Sequence, residues 1–134
     1  MRRRARGLIL ALLLAGCGPP AEELVARLRD GATAERRQAA EALGRADGPA
    51  AVGALCAALE DPEWTVRVEA ARALGRIGAA EGIGCLAKAL EGDDLQTQMA
   101  AVKALAAIGR EAAGPMLAAL PRTRGLVRDA LAAA

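Results

Sequence analysis

The sequence lacks the side chains on which most catalytic sites depend. Its 134 residues include no His, no Tyr, no Phe and a single Trp. Without His there is no Ser-His or Cys-His pair, and most zinc sites are excluded with them. We therefore expect no catalytic residues, no metal or other cofactor, and no small-molecule substrate.

A surplus of positive charge is also missing once the start of the chain is set aside. The chain has 18 Lys and Arg against 16 Asp and Glu, but four of the arginines lie within the first six residues. Without those four, 14 basic residues face 16 acidic ones, a net charge of −2. Nucleic-acid binding needs a basic stripe and usually stacking aromatics. The composition therefore predicts that the protein does not bind nucleic acid.

The first 16 residues have the order of a secretory signal peptide. Arginines come first, an apolar stretch runs from Leu8 to Ala15, and small residues follow at Ala15 and Gly16. As a helix the apolar stretch would rise about 12 Å, well short of the roughly 30 Å hydrocarbon core of a bilayer. The pattern indicates a targeting segment rather than a membrane span.

The segment Leu14-Ala15-Gly16-Cys17 resembles the lipobox of bacterial lipoproteins. The resemblance implies cleavage before Cys17 and a lipid anchor on that residue, since two or three acyl chains hold a protein stably on a membrane. The alternative is an ordinary cleaved signal with an incidental cysteine. Gly18 stands where an Asp would resemble an inner-membrane retention signal. We therefore expect the periplasmic face of the outer membrane rather than the inner membrane.

This interpretation divides the chain into three parts. Residues 1–16 are the leader, residues 17–20 are the acylated cysteine and its tether, and residues 21–134 are the folded domain. The tether of Gly18, Pro19 and Pro20 reaches only about 10–13 Å. We expect the domain to lie against the membrane.

The domain is an internal repeat with a period of 31 residues. Apolar residues keep this step in three rows, namely Leu24, Leu55, Leu86 and Leu117; Leu28, Leu59 and Leu90; and Leu43, Leu74 and Leu105. The register is expected to hold until Leu120. Within each period the apolar spacing is helical twice, which predicts the hairpins 20–29 with 32–45, 49–60 with 62–77, 80–90 with 93–108, and 111–120 with 122–133.

Turn and cap residues separate the predicted helices. Asp61 and Pro62 are expected as N-cap and first helical residue of a second helix. Glycines 44, 75, 78 and 109 stand near the ends of the second helices, where a left-handed cap is favoured. Since one such hairpin cannot bury its own apolar face, the hairpins are expected to stack. The last helix ends in LVRDALAAA, a poor polar cap, so we expect it to fray or to be covered by a partner.

The segment DPEWTVRVEAARALGRIG, residues 61–78, resembles the short HEAT-like repeat that is also found in phycobilisome lyases. The resemblance covers nearly all of residues 22–134. It implies an all-α fold, a right-handed α-solenoid of about four stacked hairpins of the HEAT-like or armadillo type. In such repeats an Asp and an Arg tie successive hairpins by side-chain hydrogen bonds, a role that falls on Asp30, Arg36, Asp61 and Arg67. The third repeat departs from the pattern with Gly92 and Gln98, and the fourth keeps only Arg128.

The resemblance also suggests a binding surface, because second helices line the concave side of such solenoids. Successive repeats place there three rows of residues, Arg37, Val68 and Met99; Glu41, Arg72 and Lys103; and Arg45 and Arg76. An apolar centre with a mostly basic rim is typical of a protein interface. The alternative is that Val68 and Met99 only pack between neighbouring helices, and the sequence leaves both readings open.

Three side chains elsewhere have a structural and a functional reading. Cys56 and Cys85 are two positions out of register, and neighbouring helix axes lie about 8–10 Å apart, so we expect two buried thiols rather than a disulfide. Trp64 has period equivalents at Leu95 and, roughly, Leu126. We expect this row to pack between repeats rather than to bind a ligand.

The sequence thus favours a membrane-anchored, non-catalytic solenoid that binds another protein in the cell envelope, as a scaffold or assembly factor. Two alternatives remain: a bilin-attachment factor similar to the phycobilisome lyases, and a structural lipoprotein that associates with itself.

Overall fold

The computed structural model describes residues 18–46, 48–123 and 125–134. The predicted leader and Cys17 lie outside these residues, so their roles stay predictions. In the described part of the chain every regular element is helical. The eight α-helices there are α1 (Ala21–Asp30), α2 (Thr33–Leu43), α3 (Pro49–Ala58), α4 (Trp64–Ile77), α5 (Ile83–Ala89), α6 (Leu95–Ile108), α7 (Ala113–Ala119) and α8 (Gly125–Ala133).

The helices form an α-solenoid of two layers. The second helices pack in succession, α2 on α4, α4 on α6 and α6 on α8, while α1 packs on α3 and α5 on α7. Short 3-10 segments precede α5 and α7, at Ala80–Gly82 and Arg110–Ala112, and a third, Leu120–Arg122, follows α7. The predicted hairpins are therefore present, and several of their helices are shorter than expected because of these 3-10 turns.

The apolar rows of the repeat form the core of the first three hairpins. Leu43, Leu74 and Leu105 are at most 1% exposed. In the fourth hairpin the predicted register is wrong. Leu117 is 66% exposed, and Met116 takes the buried position instead. The cause is a shorter linker: Ala79 separates Gly78 from the 3-10 turn before α5, whereas the turn before α7 begins directly after Gly109. The register therefore slips before Leu117 rather than at Leu120.

The glycines of the second helices have two different roles. Gly78, with φ of 68°, ends α4 in the left-handed conformation, as predicted, whereas Gly109 has a positive φ of 92° but a ψ of −142°, outside the left-handed helical region. Gly44 and Gly75 do not form left-handed caps, since Gly44 has helical dihedrals and Gly75 lies inside α4. A Cβ on Gly44 would lie 2.9 Å from Ala73, and one on Gly75 would lie 2.9 Å from the Cα of Ala104. These two glycines instead let neighbouring second helices approach closely.

Replacing Gly75 by alanine should therefore destabilise the protein, although alanine is the better helix former. The new methyl would meet the backbone of α6, which cannot move aside cheaply, and such overpacking typically costs about 1–3 kcal/mol. The matched control is Gly53→Ala in α3, where no atom lies within 4 Å of the added Cβ. It should stabilise by up to about 1 kcal/mol. Urea unfolding followed by circular dichroism measures both, and shifts of the same sign would contradict the packing role of Gly75.

Candidate protein-binding surface

An arginine on α2 joins the first hairpin to the second. Arg36 donates to both carboxylate oxygens of Asp61, at 2.8 and 3.0 Å, and to the backbone oxygen of Gly31 at 2.9 Å. The two side chains are only 16% and 8% exposed. The hydrogen bond to Asp61 is also the main reason that the pKa of Arg36 is raised. Arg36 thus fixes its own interhelical turn and the following repeat together.

Asp61 does not cap α4 as the sequence suggested. The helix begins at Trp64, with Glu63 as its N-cap, and Asp61 accepts the backbone N–H of Glu63 at 2.9 Å. Its carboxylate therefore orders the turn before the helix while it receives Arg36. The helix thus begins two residues later than predicted, because Pro62 and Glu63 lie outside it.

The second link uses an acid that the sequence analysis missed. Arg67 donates through Nη1 to the backbone oxygens of Asp61 and Pro62, at 2.7 and 3.0 Å, and through Nη2 to a carboxylate oxygen of Asp94 at 3.3 Å. A strict period of 31 places Gly92 at the position of Asp61, so Asp94, two residues later, was overlooked. Asp94 comes immediately before a helical pattern, and this position could have identified it as the linking acid.

The environment of Asp94 favours its charged form. Partial burial raises the pKa of this carboxyl group, but hydrogen bonds from the Thr97 hydroxyl, the backbone N–H groups of Gln96 and Thr97, and Arg67 outweigh burial and lower it. Asp94 also caps α6 by accepting from those two N–H groups. One carboxylate thus starts a helix and receives the arginine of the preceding repeat.

The series changes at both ends. Asp30 has no repeat before it in the described chain and pairs with its neighbour Arg29 at 3.0 Å, not with Arg36. Gln98 keeps the contact to its own turn, donating to the backbone oxygens of Leu90 and Gly92 at 2.9 and 2.5 Å. Arg128 likewise donates to the backbone oxygen of Thr123, at 3.4 Å. In the part of the chain that the structure describes, the contact to the hairpin's own turn recurs in all four hairpins, whereas the arginine–aspartate contact to the next repeat occurs twice.

A groove of about 380 Å³ lies between α4 and α6. We call it the α4–α6 groove; it is lined by Val68, Arg72, Gly75, Arg76, Gln96, Met99, Ala100, Lys103, Ala104 and Ala107. It brings together five of the residues that the sequence placed on the binding surface. The three from the first repeat do not line it: Arg37 is exposed, and Arg45, which follows the end of α2, forms an exposed pair with Glu41 at 2.7 Å.

The floor of the α4–α6 groove is apolar and its rim is basic. Val68 is half-buried and packs against the core, and Met99 is half-buried too. Arg72, Arg76 and Lys103 are exposed. Among the described residues, Glu69, whose side chain is 12% exposed, pairs with two of these cations, with oxygens 3.7 Å from Arg72 and 3.5 Å from Arg76. The rim therefore keeps an excess of positive charge.

Trp64 is not packed between repeats, which corrects the sequence-based expectation. It is 49% exposed, and its period equivalents Leu95 and Leu126 are 40% and 69% exposed. The reason is position: Trp64 and Leu95 are the first residues of α4 and α6, so each lies one turn before Val68 or Met99 on the same helix face. They lie exposed one turn before the groove and are not among the residues that line it.

A second cleft, of about 500 Å³, lies at the seam between the second and third hairpins. Cys56 and Cys85 form a disulfide at its edge, with Cα atoms 5.6 Å apart, where the sequence favoured free thiols. The expectation used the distance between helix axes, but facing Cα atoms are closer than the axes by up to about 4.6 Å. Lys88 and Glu60 pair across the same seam at 2.5 Å, and Lys88 lowers the pKa of Glu60.

Among residues 18–46, 48–123 and 125–134 no group of three or more His, Cys, Asp or Glu could hold a metal ion. No helix in these ranges has the length and apolar character to cross a membrane.

The arrangement of stacked hairpins agrees with the sequence comparison. The family model for HEAT repeats matches residues 21–97 and residues 54–134, which together cover the whole folded domain. The chain therefore belongs to the HEAT-repeat family, whose members generally mediate protein–protein interaction. No curated protein matches the chain significantly.

Removing the disulfide should lower stability without unfolding the repeats. It closes a loop with a sequence separation of 29 residues, which corresponds to about 3–4 kcal/mol of denatured-state entropy. The double variant C56S/C85S and the reduced wild-type protein should both show this loss in urea unfolding. As a control, the reductant should leave the variant unchanged. A wild-type transition that does not respond to reductant would contradict the stabilising role.

Proposed function

We propose that this chain is a membrane-anchored, non-catalytic HEAT-repeat lipoprotein that binds another protein in the cell envelope, as a scaffold or assembly factor. The observation that carries the proposal is the α4–α6 groove, with half-buried Val68 and Met99 between exposed cations. An apolar centre with a polar rim is how protein interfaces are built. The family supports the same general role.

The anchor is the second part of the proposal. It is supported by the lipobox-like segment that ends at Cys17 and by the short distance from there to α1, which begins at Ala21. With three residues between them, the solenoid would be held close to the lipid surface. The periplasmic face of the outer membrane is the proposed location.

Photo-crosslinking in the native cell tests the partner. A photoreactive residue at Val68 and another at Met99 should each capture the same heterologous protein, because both side chains lie in the groove. The control position is Ala57 on α3, which is exposed and does not line the groove. Mass spectrometry of the membrane fraction identifies the adducts. Only self-adducts, or equal capture from Ala57, would reject the groove as the partner site.

Replacing Cys17 by serine tests the anchor. The wild-type protein should be recovered in the membrane fraction with a mass increased by acyl chains. Cys17→Ser should lack the added mass and leave that fraction, since stable attachment needs two or more chains. The matched control is Cys85→Ser, which removes a cysteine but should leave the protein in the membrane. An unmodified wild-type Cys17 would refute the lipoprotein assignment.

A further inference from the structure

We propose that the α4–α6 groove binds an amphipathic helix of the partner whose first turn is acidic and whose following turns are apolar. This inference rests on the proposed function, because it specifies the partner of the same surface. It is carried by the distribution of side chains along the two helices that form the groove.

The surface made of the α4–α6 groove and the exposed starts of the same two helices is divided lengthwise into an apolar half and a basic half. On α4 one face carries Trp64, Val68, Arg72 and Arg76, in steps of four residues. On α6 the same steps give Leu95, Met99, Lys103 and Ala107. Residues four apart lie on one face of a helix. The large apolar side chains therefore occupy the beginning of both helices, and the three cations occupy their second half.

The two halves are about the length of a short helix. Twelve residues separate Trp64 from Arg76, and at 1.5 Å per residue the surface extends about 18 Å. An amphipathic helix commonly binds a groove by placing apolar residues spaced by three and four positions along it. A ligand helix of about three to four turns would cover both halves at once.

The charges select the composition and direction of that helix. The three cations that line the groove have no acid among the lining residues, and the nearby Glu69 offsets one of them. Acidic residues are most favourable in the first turn of a helix, where they also interact with its dipole. An acidic first turn opposite Arg76 and Lys103 would direct the ligand antiparallel to α4, with its apolar turns at Trp64 and Met99.

The groove rim is positively charged, whereas the domain as a whole has a negative net charge. Without the leader the chain carries a net charge of −2, so the basic rim is a local feature rather than a general property of the surface. A broad attraction to an anionic membrane is disfavoured by that net charge. The half-buried Val68 and Met99 form a recess, which a helix can fill and a flat lipid surface cannot.

The single tryptophan makes the test direct. Trp64 is the only aromatic residue in the chain, it is 49% exposed, and it lies one helical turn before Val68, which lines the groove. Its fluorescence emission should shift to shorter wavelength when a ligand covers it. Three helical peptides without aromatic residues serve as probes: one with Glu in the first turn, one of the same composition with Glu in the last turn, and one with Gln in place of Glu.

The acid-first peptide should bind the purified full chain about tenfold more tightly than the neutral one, since three exposed charge contacts are involved. The acid-last peptide should bind more weakly than the acid-first peptide. The variant R72Q/R76Q/K103Q should lose this preference, whereas R27Q/R29Q/R122Q, which removes the same charge outside the groove, should keep it. The single variant K103Q avoids leaving Glu69 unpaired and should show a smaller loss.

Equal affinity for the three peptides would overturn the proposal. So would a preference that survives R72Q/R76Q/K103Q, or an emission shift caused by phosphatidylglycerol vesicles and by none of the peptides. A protein captured at Val68 and Met99 whose crosslinked segment has no acidic first turn would reject this inference alone. The absence of any captured protein would instead reject the proposed function.

Discussion

The close approach of neighbouring second helices is the constraint on which the rest of the structure depends. Gly44 against Ala73 and Gly75 against Ala104 leave no space for a further methyl group. Small residues at these contacts set the distance between α2, α4 and α6. The exposed faces of these helices therefore form one surface, on which side chains from two repeats share a groove.

The charged contacts between repeats complement this packing. Arg36 and Arg67 each bind the turn of their own hairpin and a carboxylate of the next one. An arginine can do both because its guanidinium offers five donors in a fixed plane. The contacts orient one hairpin relative to the next at the edge of the helices, where no apolar core is available to do so.

Much of the fold could be predicted from the sequence, because periodicity reports burial directly. The rows through Leu43, Leu74 and Leu105 and through Leu24, Leu55 and Leu86 specify the helices and the stacking. Predictions failed where one residue changes the geometry. The shorter linker after Gly109 exposes Leu117. Asp94 lies two residues after the position that a strict 31-residue repeat gives to the linking acid, so the repeat alone did not identify it. Val68 and Met99 could be placed on a surface, but the depth of the groove between them depends on helix separation, which no pattern records.

The replacement of arginine by Gln98 has a consequence for how the array opens. Gln98 holds its own turn but has no cation for the next repeat, and its Oε1 is buried without a hydrogen-bond partner in the described part of the chain. The fourth hairpin is held by apolar contacts through Val127 and Leu131 and by the exposed pair of Arg122 with Glu91. In a linear array each unit is stabilised only by its neighbours. Among the described residues the seam between the third and fourth hairpins lacks the arginine–aspartate contact of the two earlier seams, so the fourth hairpin can separate locally while the second and third hairpins, which form the groove, remain folded.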